Sequence, residues 1–366
     1  MPVPANELLD LALHVGVVFS TVKWNLTTQG QTRAIGELHP SSDERVSVNN
    51  DTSGNIKRTV KGFELDATEA LDINLFRDRV RPEFFLEDGT RWDMGEFLFS
   101  SDDRVVTTAG RPLSTTLFDQ CFLLGNPRPN PFGLDKDDLI VFWIDRMAEE
   151  AGIPLERRKV VGNDDLRIND PISWPGATPR MRIMAELAEL AGYYSPYFNN
   201  AGDLVVRPIG EVKAGPDAIF YSNSNPRIFA DSYNRAPGLL EAPNRFIAIN
   251  NGSQEAEIVG VFDVPDSAPH SIKNRGFEVV KIIRTQGLDS TDSAAALAHT
   301  AAVADPGNYE QVTFDSPPDP RHDTFDIVVI DDEAFIELDW NIEVNPGGAM
   351  NHNLRKSLTA PDEEDG

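Results

Sequence analysis

Carboxylates are the residues best placed to do chemistry in this 366-residue chain, where 59 Asp and Glu stand against 33 Lys and Arg. Paired carboxylates can cleave glycosidic bonds, and loops rich in Asp and Asn can hold calcium. Asn163-Asp164-Asp165 with Asn169-Asp170 offers suitable oxygens but lacks the twelve-residue pattern with a closing glutamate. A plain turn is the simpler reading, and whether calcium binds the loop from Asn163 to Asp170 stays open. Asp331-Asp332-Glu333 separates two apolar runs and reads as a hairpin tip. With so many carboxylates, chance clusters are expected, and no glycosidase pair stands out. Six histidines (His14, His39, His270, His299, His322, His352) are scattered singly, none four residues from another, so none signals a metal ligand or a general base. A single cysteine, Cys121, can form neither an internal disulfide nor a Cys-based zinc site. Phosphate-loop, dinucleotide-turn, His-Glu-x-x-His and Gly-x-Ser-x-Gly patterns are all missing. Tyr193, Tyr194, Tyr197 and Phe198 could stack on sugar rings, yet they follow a helix end, where packing between helix and strand is the simpler use. No catalytic, cofactor-binding or metal-binding residue is therefore assigned.

The elements that must position these groups are mostly short strands, since 26 Gly and 26 Pro imply many turns. Strands are expected at Ile56 to Leu65, Leu71 to Phe76, Glu83 to Glu87, Gly95 to Ser100 and Leu117 to Leu124, with Asp88-Gly89-Thr90 as a tight hairpin turn. The proline-rich Gly125 to Pro131 marks a boundary. Two amphipathic helices follow. The first carries Leu139, Trp143 and Met147, capped by Asp137 or Asp138 and ended by Gly152; the second opens at Thr178-Pro179 and ends at Gly192. Strands are then expected at Leu204 to Arg207, Arg245 to Ile249, Glu257 to Phe262, Phe277 to Ile283, Gln311 to Phe314, Phe325 to Ile330 and Phe335 to Val344. An alanine-rich helix over Ser290 to Ala304, with Ser290, Thr291 or Asp292 as its cap and Asp305-Pro306-Gly307 as its stop, interrupts them. The acidic segment 360–366 reads as a disordered tail. The resulting class is α+β, mostly β, divided as 1–125 (β), 126–238 (α+β) and 239–359 (β).

The net charge is −26 and the pI about 4.5. Phosphate-gripping nucleic-acid binding and anionic membrane surfaces both require clustered cations, so both are excluded as partners. With 40% hydrophobic and 25% charged residues, the chain can build a real core. The apolar run Leu8 to Phe19 is broken by Asp10 and His14 and lacks a basic leader, so it reads as neither signal peptide nor membrane span, and synthesis in the cytoplasm is expected.

Four stretches carry a resemblance. They are Trp92-Asp93-Met94-Gly95-Glu96-Phe97-Leu98-Phe99 with the later Leu117-Phe118-Asp119; Trp174-Pro175-Gly176-Ala177-Thr178-Pro179 with Ala201-Gly202-Asp203-Leu204-Val205-Val206-Arg207-Pro208; Pro243-Asn244-Arg245-Phe246 with Asp266 to Ile272 and Gly276; and Asp319-Pro320-Arg321-His322-Asp323 before Phe325-Asp326-Ile327-Val328-Val329. In this order, over roughly residues 50 to 357, they resemble the tail-tip or baseplate hub proteins of tailed bacteriophages, the minor tail proteins of long-tailed actinobacterial phages. The resemblance implies two tail-tube-like β-barrel or sandwich domains flanking the helical unit. It also implies a homotrimer that adapts a six-fold tube to a three-fold tip and closes its distal end. No residue-level repeat links the first and last thirds. Implied partners are the tail tube and distal tail ring protein, the tape measure protein, tail fibre or tip proteins, and genomic DNA as cargo; the implied location is the tail tip of a virion. Acids facing the bore would repel DNA phosphates, and Asp102, Asp103, Asp331 and Asp332, in expected turns, are the candidates. The chain ends soon after the last expected tube-like unit, with no room for a cell-wall-degrading extension. A non-enzymatic role is therefore expected, with a cell-wall glycan hydrolase or a carbohydrate-binding module as alternatives.

Overall fold

The structure, a computed structural model, describes residues 20–28, 33–41, 46–68, 73–86, 90–101, 103–104, 112–162, 165–210, 212–215, 218–221, 234–237, 240–250, 258–305, 310–345 and 348–356. Residues 8–19, Asp88-Gly89, Asp102, Asn163-Asp164 and 360–366 lie outside them, and with them the expected tail and part of the possible calcium loop.

The first third supplies β1 (Ser20–Thr28), β2 (Gly36–Leu38), β3 (Ser47–Asp51), β4 (Arg58–Leu65), β5 (Asp78–Leu86), β6 (Arg91–Asp93), β7 (Phe97–Phe99), β8 (Asp103–Arg104) and β9 (Leu113–Asp119). β5 and β6 pair antiparallel across the expected hairpin position. Two expected strands are corrected. Of the expected strand Leu71 to Phe76, the described residues 73–76 form none, because the Asn74 carbonyl accepts from the N–H groups of Arg77 and Asp78 and its side chain from Phe76 N–H, closing a turn that delays the strand to Asp78. Leu117 to Leu124 splits at Asp119, whose carboxylate accepts from Cys121 N–H at 3.1 Å and opens the one-turn helix α1 (Cys121–Leu124).

The middle unit holds β10 (Phe132–Leu134), α2 (Ile140–Glu150), β11 (Arg158–Val160), β12 (Ile172–Trp174), α3 (Arg180–Leu190), β13 (Tyr197–Phe198) and β14 (Leu204–Val206). Asp137 and Asp138 do not cap α2. Leu139 takes the cap position without a side-chain bond, while Asp138 accepts from Asp135 N–H at 2.8 Å. The unit is internally repeated. Pro131, Phe132, Leu134, Asp137, Ala151 and Gly152 have counterparts at Pro171, Ile172, Trp174, Ala177, Ala191 and Gly192, each forty positions on. The two copies face each other across an antiparallel β10–β12 pair with Phe132 opposite Trp174 and Leu134 opposite Ile172. Their turns exchange matching bonds, Asp137 N–H to the Ile168 carbonyl and Ala177 N–H to the Arg128 carbonyl, each at 2.8 Å. Both turns use a left-handed non-glycine residue, Asp137 at φ 72° and Ala177 at φ 65°. Few identities survive between the copies, so the repeat is written in backbone geometry more than in sequence.

The last third adds β15 (Ile219–Tyr221), β16 (Asn234–Pro237), β17 (Arg245–Asn250), β18 (Val259–Asp263), α4 (Ile272–Arg275), β19 (Val280–Thr285), α5 (Thr291–Ala304), β20 (Glu310–Ser316), β21 (Ile327–Ile330), β22 (Glu333–Glu343) and β23 (Met350–Arg355). Of the three cap candidates it is Ser290 that caps α5, through a reciprocal bond with Ser293, while Thr291 and Asp292 lie inside the helix. β17, β18 and β19 form a separate three-stranded sheet that buries Ala294, Ala298 and Ala302 of α5 against one face. The remaining strands of this third join those of the first in one fifteen-stranded sheet, ordered β16-β20-β23-β22-β3-β4-β9-β7-β5-β1-β2 with β6, β8, β15 and β21 attached beside it. The two β-rich regions fuse where β22 pairs with β3, Trp340 opposite Asn50 and Ile342 opposite Val48. The fold is thus mixed α+β and dominated by sheet. Closed barrels are a further correction, because the described sheet ends in free edges at β2 and β16.

Candidate functional site

The turn Asn199 to Asp203, between β13 and β14, is where all three regions meet. It is tied internally by Asp203 N–H to Asn199 Oδ1 and Gly202 N–H to the Asn199 carbonyl, both 2.8 Å. Gly202 has φ 77°, and a Cβ there would stand 2.5 Å from Arg157 Nη2 and 2.9 Å from Glu96 Cβ, so the turn can approach this closely only as glycine. From the first β region, Gly95 N–H donates to the Asn200 carbonyl (2.8 Å), Arg81 to the Ala201 carbonyl (3.2 Å) and Gln120 to the Gly202 carbonyl (3.2 Å). Arg157 of the middle unit reaches the Ala201 and Gly202 carbonyls and pairs with Asp203 at 3.0 Å. From the last third, Asp323 accepts from Asn200 N–H (3.0 Å), and the His322 carbonyl accepts from Asn200 Nδ2 (3.0 Å). Arg58, at 1% exposure, closes the junction by donating to Asn200 Oδ1 at 2.5 Å and pairing with Asp323, its guanidinium 5.3 Å from the Trp340 ring centre.

Parts of three of the four stretches that carry the resemblance converge here, through Gly95, Ala201-Gly202-Asp203 and His322-Asp323. Phe97 pairs with Asp119 across β7 and β9, which brings the Gly95-Glu96-Phe97 strand to its later aspartate. Asp119 accepts from Arg58 N–H at 3.0 Å, yet burial pushes its carboxyl up to about 6, with Arg58 and Cys121 N–H opposing. Because the folded pKa is raised above the ordinary carboxyl value of 3.8, the ionised carboxylate opposes folding; its cost is relieved as pH falls through about 6 towards 4. At 1.36 kcal/mol per pH unit this amounts to about 2–3 kcal/mol. In urea titrations across that window, Asp119→Asn is expected to lose this component of the pH dependence; identical slopes in the two proteins would contradict the assignment. Glu96 is likewise raised by burial, with Arg157 and Arg81 opposing. Farther from the junction, buried Asn244 donates to the His270 and Phe277 carbonyls and accepts from Val279 N–H, locking the Asp266 to Gly276 segment onto β17.

Beside the junction lies a cluster that sequence reading missed. His322 and His352 are both completely buried in side chain and share the carboxylate of equally buried Glu337, with Nδ1 to oxygen distances of 2.5 and 2.7 Å. On the outer side, Tyr221 Oη lies 2.8 Å from His322 Nε2, and Ser316 Oγ lies 2.9 Å from His352 Nε2. Burial raises Glu337 to about 7 and lowers both imidazoles. A β-bulge explains the placement. The register of β22 against β23 shifts between Glu337 and Asp339, so inward-facing positions change from Phe335 and Glu337 to Trp340 and Ile342. Thirty residues separate the histidines, and no local spacing announces them.

Among the described residues, Asp103 is not brought together with Asp331 and Asp332. Asp102 lies outside the described residues, and Asp103 is in β8, opposite Ser114. Asp331 and Asp332 form the exposed β21–β22 hairpin tip, with φ of 48° and 72° as a type I′ turn requires. Strands β3 and β4 lie between the two hairpins in the sheet. Asp165 and Asp170 join no cluster of three converging carboxylate, imidazole or thiolate ligands among the described residues. The Tyr193 to Phe198 stretch is buried, with Tyr194 stacked on Phe325 at 4.4 Å and Arg207 over its ring; those rings are occupied by packing and open to no sugar.

No protein-family model matches the chain, and no curated protein matches it in sequence. Its fold does match solved structures over nearly the full length. The 43 kDa tail protein of prophage MuSo2 from Shewanella oneidensis aligns over 91% of this chain and 98% of its own, at 11% identity and a TM-score of 0.59. A tail protein from Neisseria meningitidis aligns over 92% and 97%, at 12% identity and 0.59. The E. coli c3393 protein, a component of a type VI secretion system, aligns over 90% and 76%, at 7% identity and 0.51.

Proposed function

We propose that this chain is a structural protein of a phage-type tail tip, a trimeric hub that closes the distal end of the tail tube and adapts six-fold to three-fold symmetry. It needs no catalytic residue. The observation that carries the reading is the likeness in fold to prophage tail proteins along nine-tenths of both chains. The fused β regions support it: two laterally joined β units per chain give a three-chain ring six similar elements. On this reading 1–125, 126–238 and 239–359 are the working domains.

A ring also needs neighbouring copies to grip each other through two different faces. One face offered is the side of the β17–β19 sheet away from α5, where Val261, Val280 and Ile282 are exposed around the half-buried Ile247. An uncovered apolar sheet face is a surface built for a partner. The charge of −26 per chain fits a channel through which DNA slides without sticking, with Asp102, Asp103, Asp331 and Asp332 as bore-facing acids. The tube and distal tail ring protein would sit above, with the tape measure protein in the bore and tail fibre or tip proteins below. The protein would be made in the host cytoplasm and act in the virion.

Light scattering on the purified protein, alone and with tube protein, tests this. A trimer is expected, and Ile282→Glu should weaken its association by about 30-fold or more, the effect of losing roughly 2 kcal/mol at an interface centre, while its circular dichroism stays unchanged. A protein that stays monomeric under both conditions, or a monomer that clears cell-wall material, overturns the reading.

A further inference from the structure

Two buried imidazoles converge on one buried carboxylate: His322 Nδ1 and His352 Nδ1 lie 2.5 and 2.7 Å from the two Glu337 oxygens, and on the outer side their Nε2 atoms lie 2.8 Å from Tyr221 Oη and 2.9 Å from Ser316 Oγ. Ser316 Oγ also lies 2.8 Å from the Pro317 carbonyl, which can only accept. With the proton of each imidazole on Nε2, both Nδ1 lone pairs face the carboxylate, the arrangement that a cation held between them requires.

One nitrogen from each imidazole and one Glu337 oxygen, all on fully buried side chains, lie within 4.8 Å of one another, and the second carboxylate oxygen can complete an N2O2 set around one divalent cation. Such a set suits zinc, a borderline ion that accepts imidazole and carboxylate in four-coordinate closed sites. The outer bonds from Nε2 to Tyr221 and Ser316 are those that hold ligating imidazoles in the tautomer with Nδ1 free.

We infer that His322, His352 and Glu337 form a buried structural zinc site, with Tyr221 and Ser316 as the residues that orient its imidazoles. The ion would staple the loop carrying His322 to β22 and β23. That loop also holds Asn200 through the His322 carbonyl and Asp323, so zinc would stiffen the three-way junction from its last-third side. The inference does not depend on the tail-tip role.

Elemental analysis of the full chain after dialysis against metal-free buffer, with melting curves before and after dipicolinate, provides the test. One zinc per chain is expected, with a lower melting temperature on chelation and recovery on adding zinc. Cobalt substitution should give the visible absorption of a four-coordinate centre. His352→Gln should retain no metal. Tyr221→Phe keeps all the ligands and is expected to bind zinc about 10–100-fold more weakly in competition with a chromogenic chelator, which keeps the test informative should the ligand variant fail to fold. A chain that retains no zinc, shows no cobalt spectrum and melts at a temperature indifferent to zinc and chelator overturns the inference. So does a Tyr221→Phe variant with unchanged zinc affinity.

Discussion

Arg58→Ala should lower the unfolding free energy by about 3–5 kcal/mol, the range for removing one partner of a buried ion pair. Arg58 is 1% exposed, and its guanidinium links Asp323 of the last third to Asn200 of the middle unit while lying over Trp340. The alanine leaves Asp323 without its guanidinium partner and Asn200 Oδ1 without its donor, and it opens a cavity against the Trp340 ring. Arg58→Lys keeps the charge but presents one point donor where the fork served two acceptors, so it should recover only part of the loss. The double variant Arg58→Met, Asp323→Asn removes the uncompensated charge and should recover more than either single change implies, since the two sites are coupled. Urea unfolding measures all four proteins. The three regions should also come apart unevenly, so native-state proteolysis ought to cut Arg58→Ala near the junction first. A loss below about 1 kcal/mol, the level of an exposed pair, would show that the junction is not held here.

Gly260→Val carries the second large effect. Gly260 sits in β18 directly beneath α5, and a Cβ there would stand 2.1 Å from the Ala295 backbone nitrogen and 2.2 Å from the Ala294 backbone carbon. These atoms belong to the helix backbone, so no side-chain rotation relieves the overlap. α5 must rise off the sheet, uncovering the face on which Ala294, Ala298 and Ala302 pack at 0% exposure. Overpacking usually costs 1–3 kcal/mol where side chains can yield; with backbone as the obstacle, about 3 kcal/mol or more is expected. Gly260→Ala should already be destabilising. Combining it with Ala294→Gly should not restore stability, because removing the Ala294 methyl leaves both backbone contacts in place. A full rescue by that pair, read from melting curves, would show that the obstacle is a methyl group and not the helix itself.

Elements with a short period or a local signal were legible from the residues. The two amphipathic helices of the middle unit, the Ser290 cap of α5 and the Asp331-Asp332 hairpin tip all lie where apolar spacing and turn chemistry place them. Errors arose where one polar side chain outweighed an apolar pattern. Asn74 closed a turn inside an apolar run, and Asp119 converted the end of a strand into a helix. Polar strands were missed altogether: β3 is Ser-Val-Asn-Asn-Asp and β23 is Met-Asn-His-Asn-Leu-Arg, and their membership in a sheet comes from neighbours on both sides.

By itself the sequence determined the class of the fold, the presence of its main helices and the acidic charge, because these depend on composition or on contacts within a few residues. Tertiary structure alone decided that β22 joins the first and last thirds into one sheet. It also decided that Arg58, Asn200 and Asp323 meet, and that a bulge after Glu337 turns its carboxylate toward His322 and His352. Partners so far apart in the chain leave no periodicity to read; they are selected by strand register and by the need to satisfy every buried polar group, and both of those are properties of the packed chain.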